Sequence, residues 1–346
     1  MENTHTYDPL LELMERPAFL VADGIIQQVN QAAKQRLIVT GEPITKYLDQ
    51  DLAAYEQFRT GCLYLNLSIE KFPCGASVMD MENAHLFLLD EQSDPSLKAL
   101  ALAAQQLRLP MNSVFLAAET ITDRKTAGQI SQSLSQMHRI ICNMADAVRY
   151  YDKNAFRGET TDLTSFFAET VEKAIHLLSS SGVQLHYTAL PQSAVSFVDR
   201  QMLERAILNL ISNAVKFSPK GSCVDIKLSS KGHMLYFTVH DAGEGIDPQV
   251  QKQIFTRYQR EPGIEDSRHG LGLGLSVVRS AATNHGGTVL IDHPQSGGTR
   301  ITMTMDLRPK EENTLHSPIS IPTVDYAGGR DHALVELSDV LPYDAY

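Results

Sequence analysis

Two runs of apolar residues recur at alternating intervals of four and three, and this rhythm constrains the fold more than any other feature of the chain. Leu100, Ala104, Leu107, Met111, Val114 and Ala118 make the first seam; Ile130, Leu134, Met137, Ile141, Met144 and Val148 make the second. Such spacing keeps an apolar stripe on one side of a helix. The polar run Thr122-Asp-Arg-Lys-Thr126 separates them as a short turn, so residues 95–158 are predicted to form an αα-hairpin. Two hairpins packed as a four-helix bundle bury more of each seam than one does, which predicts a homodimer. Pro110 lies inside the first helix, where it removes a backbone donor and is expected to bend the chain.

The flanking segments read differently, and the whole is an α+β multidomain chain. Residues 1–94 are predicted to be a small sensor-like module. Phe19–Val29 holds two apolar runs broken by Asp23-Gly24, a short hairpin signal, and Leu63–Ile69 and His85–Leu89 pattern as strands. Strand pair, helix, then more strands is similar to a PAS-type module. Residues 159–308 alternate helix and strand patterns: helices over Leu163–Ser179 and Asp199–Lys216, strands over Val183–Thr188, Val224–Ser229, Met234–His240, Thr288–Asp292 and Thr299–Asp306. Residues 309–346 carry seven acids against Lys310 and Arg330, with four prolines, and are predicted to be a flexible acidic extension.

Charge and cysteine content narrow the function classes. A net charge of −11 repels a phosphate backbone, so a broad nucleic-acid role is not expected. Cys62, Cys74, Cys142 and Cys223 share no metal-binding spacing and read as reduced thiols. No basic-then-apolar leader is visible, and no window approaches the roughly 18–20 apolar residues that cross a bilayer. A soluble, cytoplasmic protein without membrane insertion is the expectation.

Three short constellations carry the chemistry. In Glu204-Arg-Ala-Ile-Leu-Asn-Leu-Ile-Ser-Asn-Ala-Val-Lys-Phe-Ser-Pro219, Asn209 and Asn213 share one helix face and Lys216 follows a turn later. An amide oxygen can ligate Mg²⁺ while an ammonium neutralises phosphate oxygens. In Val239-His-Asp-Ala-Gly-Glu-Gly-Ile246, Asp241 ends a strand pattern, and Gly243 and Gly245 let the backbone approach a planar ligand. Such a carboxylate can accept a hydrogen bond from an exocyclic amine. In His269-Gly-Leu-Gly-Leu-Gly-Leu-Ser276, Gly270, Gly272 and Gly274 free the backbone for a phosphate-binding turn ahead of an apolar helix. Each motif alone is also compatible with an ordinary helix face or turn.

In this order and at these separations the three resemble the Bergerat (GHKL) ATP-binding fold, an α/β sandwich, and within it the catalytic domain of two-component sensor histidine kinases. Ile254-Phe-Thr-Arg-Tyr-Gln-Arg260 is similar to that family's F box, where the ATP lid begins. The resemblance implies ATP and Mg²⁺ as cofactors. It implies Asn213 as the Mg²⁺ ligand with Asn209 nearby, Lys216 on the phosphates, Phe217 beside the adenine and Asp241 on its amine. The second glycine box would wrap the triphosphate, with Arg257 and Arg260 as lid contacts. Hydrolytic branches of the fold carry Glu where this chain has Asn209 and Asp where it has Lys216, so steady ATP hydrolysis is the less favoured role.

One departure is decisive. Family members phosphorylate a histidine followed by an acid on the first hairpin helix. Here Ala104-Gln-Gln-Leu-Arg-Leu-Pro-Met111 keeps Leu107, Arg108 and Pro110, but places Gln105 at the histidine position and Gln106 at the acid. A glutamine amide is not nucleophilic, and Gln106 takes no proton at neutral pH. His138, on the second helix, reads as a solvated helix-face histidine and a poor substitute acceptor. The expected protein is a nucleotide-binding, histidine kinase-like homodimer that does not autophosphorylate and signals through a response regulator or a partner kinase. The alternatives are an active phosphotransferase using His138 or a partner's histidine, and a non-catalytic dimeric scaffold.

Overall fold

The computed structural model describes residues 11–14, 16–48, 51–69, 72–81, 83–90, 95–149, 156–190, 192–246, 274–307 and 327–346. The N-terminal hairpin joins β1 (Ala18–Ala22) to β2 (Ile25–Val29) through Asp23 and Gly24, with φ of 51° and 75°. Two consecutive left-handed residues give the tight turn whose twist matches that of the strands. Helix α1 (Gln31–Lys34), a 3-10 turn (Ile44–Lys46) and α2 (Leu52–Gln57) lead to β3 (Cys62–Ile69), β4 (Phe72–Met81) and β5 (Ala84–Leu89). The five strands pair antiparallel in the order β2-β1-β5-β4-β3. Their core holds Phe19, Ile26, Ile44, Leu63, Leu65 and Phe87, with the Phe19 and Phe87 rings stacked at 4.8 Å.

The heptad seams form α3 (Pro95–Ala118) and α4 (Arg124–Arg149). Asp123 starts α4, accepting a hydrogen bond from the Thr126 amide at 2.9 Å. Within one hairpin only part of each seam is covered. Ala104, Met111, Phe115, Ala118, Leu134 and Ile141 form its core, whereas Leu107 (48%), Val114 (49%) and Met137 (52%) stay exposed. Leu102, Leu109 and Leu116 add a second exposed apolar row at seven-residue spacing.

The next unit runs β6 (Glu159–Asp162), α5 (Leu163–Leu177), β7 (Gln184–Thr188), β8 (Val195–Val198), α6 (Arg200–Phe217), β9 (Cys223–Lys231) and β10 (Met234–His240). It continues with α7 (Gly274–Asn284), β11 (Val289–Asp292) and β12 (Arg300–Asp306). Its sheet has the order β11-β12-β10-β9-β7, parallel only between β7 and β9; β6 and β8 form a separate pair. Asp162 and Asp199 cap α5 and α6, each accepting from a first-turn amide. The apolar stripes of α5, α6 and α7 (Phe167, Val171, Leu203, Ile207, Ile211, Val278) bury against the alternating inner face of β9 and β10.

Two features join these units. Strand β3 pairs antiparallel with β11, so ten strands make one continuous sheet. Across that seam Arg279 of α7 pairs with Asp90 at 3.2 Å, and the Tyr64 hydroxyl donates to Asp90 at 2.7 Å. The second feature is the C-terminal segment, and it corrects the expectation of a flexible acidic tail for residues 327–346. Asp331 caps α8 (His332–Glu336), accepting from the Ala333 amide at 2.9 Å. The Gln132 and Gln136 amides on α4 donate to the carbonyls of Leu341 (2.6 Å) and Ser338 (3.1 Å). The Arg330 guanidinium lies 3.6 Å from the Phe115 ring centroid. The acids of this segment order because they meet cations from distant parts of the chain: Lys173, Arg139, Arg205 and Lys216. Among the described residues no helix is long and apolar enough to cross a membrane.

Candidate functional site

The C-terminal half of α6 carries Asn209, Asn213, Lys216 and Phe217. The two asparagines and the lysine lie on one face, as their spacing requires. Asn209 is fully buried and Asn213 half-buried, and Phe217 is 44% exposed at the helix end. The start of α7 closes on this face: a Cβ at Gly274 would lie 2.9 Å from Asn209 Oδ1 and 3.7 Å from Asn213 Nδ2. Gly274 therefore lets the N-terminus of α7 abut both amides.

On the other side of the α6 terminus, Asp241 follows β10. Its carboxylate is buried, and Oδ1 accepts from the backbone N–H groups of Gly243 (2.8 Å) and Thr299 (3.0 Å). One oxygen is thus fixed by the backbone, which orients the other. A Cβ at Gly243 would stand 2.8 Å from the Phe217 carbonyl, and one at Gly298 would collide with the Asp241 carbonyl. Gly245 holds a φ of 87°, in the left-handed region. The first glycine box is therefore packed against the end of the asparagine helix, as ordinary side chains would not permit. Gly270, Gly272, Arg257 and Arg260 lie outside the described residues.

Gln105 and Gln106, at the positions read from the sequence as the degenerate acceptor pair, lie exposed on α3. His138 departs from the expectation of a solvated histidine: it is 2% exposed, with its ring edge-on to Phe115 at 6.0 Å. Its ring faces α3 through Phe115 and lies buried within the hairpin.

Sequence reasoning missed the acidic and basic side chains that converge on Asn209. Glu336 of α8 is 0% exposed, and its Oε2 accepts from Asn209 Nδ2 at 2.8 Å. It pairs with Arg205 at 2.9 Å and with Arg139 of α4 at 3.3 Å. Arg139 also donates to Asn209 Oδ1 at 2.9 Å and pairs with Asp339 at 2.9 Å. Asp339 in turn lies 3.4 Å from the Lys216 ammonium. A buried carboxylate needs such partners to remain charged. The one advance signal was Asp331-His-Ala-Leu-Val-Glu336, a capping residue ahead of an apolar stretch.

The arrangement suits a nucleotide with its metal. Asp241 offers an oriented carboxylate oxygen for an exocyclic amine, and the glycines admit a flat base close to the backbone. An amide oxygen such as that of Asn213 can ligate a cation, and an ammonium such as that of Lys216 can neutralise phosphate.

The chain shares similarities with known proteins. Residues 198–309 match the family of histidine kinase-, DNA gyrase B- and HSP90-like ATPases. The chain is 30% identical over 218 residues to histidine protein kinase DivJ of Caulobacter vibrioides, covering 60% of this chain and 36% of DivJ. It is 25% identical over 293 residues to the sensor-like histidine kinase SenX3 of Mycobacterium bovis, covering 80% of this chain and 69% of SenX3. The solved structure of full-length ShkA in complex with AMPPNP is 21% identical with a TM-score of 0.49, over 60% of this chain and 45% of that one. The chain therefore spans about a third of the length of DivJ. Residues 198–309 thus carry a histidine kinase-, DNA gyrase B- and HSP90-like ATPase domain, and the chain around it is similar to sensor histidine kinases.

Proposed function

We propose that the protein is a histidine kinase-like signalling protein that binds Mg·ATP at the face formed by Asn209, Asn213, Lys216, Phe217, Asp241 and the two glycine boxes, and that it does not phosphorylate itself. The observation that carries the reading is the convergence of Asp241, Gly243, Asn213 and Gly274 on the end of α6, with Gln105 at the acceptor position. Asp241 is the residue for the adenine amine, Asn213 for the Mg²⁺ and Lys216 for the phosphates. Bound Mg²⁺ would neutralise phosphate charge; the protein groups orient the nucleotide around it. The five-strand order β2-β1-β5-β4-β3, with helices between β2 and β3, supports a PAS-type sensor unit at residues 1–94.

The exposed rows on α3 and α4 support a homodimer, because a second hairpin would cover them. A response regulator or a partner kinase in the cytoplasm is the proposed recipient of the signal; a structure of the histidine kinase ThkA in complex with the response regulator protein TrrA illustrates such a pairing for that protein. Calorimetric titration of the full chain with Mg·ATP tests the binding. A second reading, a dimeric scaffold without nucleotide, gains support from the carboxylates already standing on Asn209 and Lys216. Absence of binding at millimolar Mg·ATP would select the scaffold.

A further inference from the structure

The C-terminal segment reaches the same side chains that the nucleotide reading requires. Both amide donors of Asn209 are engaged where it stands, and its oxygen already accepts one bond. Its Oδ1 accepts from Arg139, and its Nδ2 donates to the Arg205 carbonyl (2.8 Å) and to Glu336 (2.8 Å). The Lys216 ammonium, which would neutralise phosphate, faces Asp339. Carboxylates and phosphates carry the same sign and ask for the same donors, so the two sets compete for one corner.

The segment also spans several elements. Lys173 of α5 holds Asp331, Glu204 of α6 holds His332, and Asn112 of α3 accepts from Arg330 at 3.1 Å. Gln132, Gln136 and Arg139 hold it on α4. Its apolar anchors are Ala327, Ala333, Val335, Leu337 and Leu341, all buried, with Leu334, Val340 and Tyr346 packed against the core beside them. Its polar ties to α4 and α6 are ion pairs and amide bonds, for which a ligand that supplies replacement charge competes.

We propose that Ala327–Tyr346 is an intramolecular stopper of the nucleotide site, with Glu336 and Asp339 occupying the Asn209–Lys216 corner, so that docking of the segment and binding of Mg·ATP oppose each other. The inference rests on the nucleotide reading above. It gives nucleotide binding a structural output that needs no phosphohistidine. Loading the site frees the segment and removes the ties that it makes between the hairpin and the ATPase domain.

Two measurements on the full chain test this. Calorimetry with Mg·ATP compares wild type with Glu336→Gln/Asp339→Asn, which keeps the shapes and removes both charges. If the docked state predominates, the variant binds about tenfold tighter or more, because apparent affinity falls with the fraction of protein competent to bind. Hydrogen exchange of wild type then compares amides 333–341 with and without saturating Mg·ATP, and exchange there speeds up on loading. Unchanged affinity in the variant, or unchanged exchange at calorimetric saturation, overturns the stopper and leaves the nucleotide reading standing. Failure of both proteins to bind Mg·ATP at millimolar concentration overturns the nucleotide reading, and the stopper with it.

Discussion

Asp241 performs two tasks with two oxygens, and substitutions separate them. Oδ1 accepts from the Gly243 and Thr299 amides inside the protein, while the other oxygen is proposed to accept the adenine amine. Asp241→Ala leaves the buried Thr299 N–H and the half-buried Gly243 N–H without an acceptor, a fully buried group costing about 1–3 kcal/mol and a half-buried one less. With partial relaxation, folding stability should fall by about 2–4 kcal/mol. Asp241→Asn retains a carbonyl oxygen, and the two amide donors dictate that it occupies the Oδ1 position. Stability should then change by less than about 1 kcal/mol. The asparagine NH₂ is left facing the ligand amine, donor against donor. Loss of a hydrogen bond to a charged acceptor costs about 1.5–3 kcal/mol, so nucleotide affinity should fall by about 10- to 150-fold. Urea denaturation and calorimetric titration of both variants distinguish the two tasks. An Asp241→Asn protein that folds normally and binds Mg·ATP like wild type would refute the assignment of the outward oxygen.

Three further outcomes follow from particular side chains. Leu107→Glu and Met137→Lys place charge on residues exposed in the single hairpin, so each variant should stay folded yet run as a monomer in light scattering; a wild type already monomeric at micromolar concentration would contradict the dimer. Burial pushes the Asp331 carboxyl up, but Lys173 and the Leu334 and Ala333 amides outweigh it and hold the group below 3.8. A depressed value stabilises the fold above the ordinary carboxylate range, and that contribution is lost as pH falls below it, so the protection of α8 amides relative to their intrinsic exchange rate should fall at strongly acidic pH; equal protection factors at pH 6 and pH 3 would count against this. Burial raises the thiols of Cys62 and Cys74 to about 12 and about 11, whereas Cys223 is exposed, so native alkylation followed by peptide mapping should find Cys223 modified first.

Local signals were legible in the sequence wherever one residue type could do the job alone. Asp23-Gly24 turned the first hairpin because both residues tolerate positive φ, and the heptad rhythm gave both long helices. The glycines of the two boxes predict close approach to a ligand; in the structure Gly243 and Gly274 allow close approach to the Phe217 carbonyl and the Asn209 amide, which the sequence does not indicate. Strand β4 escaped notice because Pro73, Cys74 and Gly75 break its apolar alternation, and β6 and β8 are four-residue strands. The joining of β3 to β11 uses backbone groups of two edges and leaves no pattern in either. The C-terminal segment was misjudged for the reason that acidic composition misleads in general. Its carboxylates look self-repelling along the chain, yet Glu336 and Asp339 are neutralised by Arg139, Arg205 and Lys216, all more than 100 residues away. His138 was misread because only the partner helix, through Phe115, reveals which side of α4 is dry.

The proposal that this chain does not phosphorylate itself rests on Gln105 and Gln106, and incubation with γ-labelled ATP and Mg²⁺ tests it directly. Wild type and Gln105→His/Gln106→Glu are compared under identical conditions, with acid-labile, base-stable phosphate as the readout. The expected result is nucleotide bound to wild type without such phosphate, and labelling of the double variant, whose imidazole and carboxylate restore a nucleophile and its base. Acid-labile label on the wild-type chain would mean that another acceptor operates, and would contradict the proposal that this protein signals without phosphorylating itself.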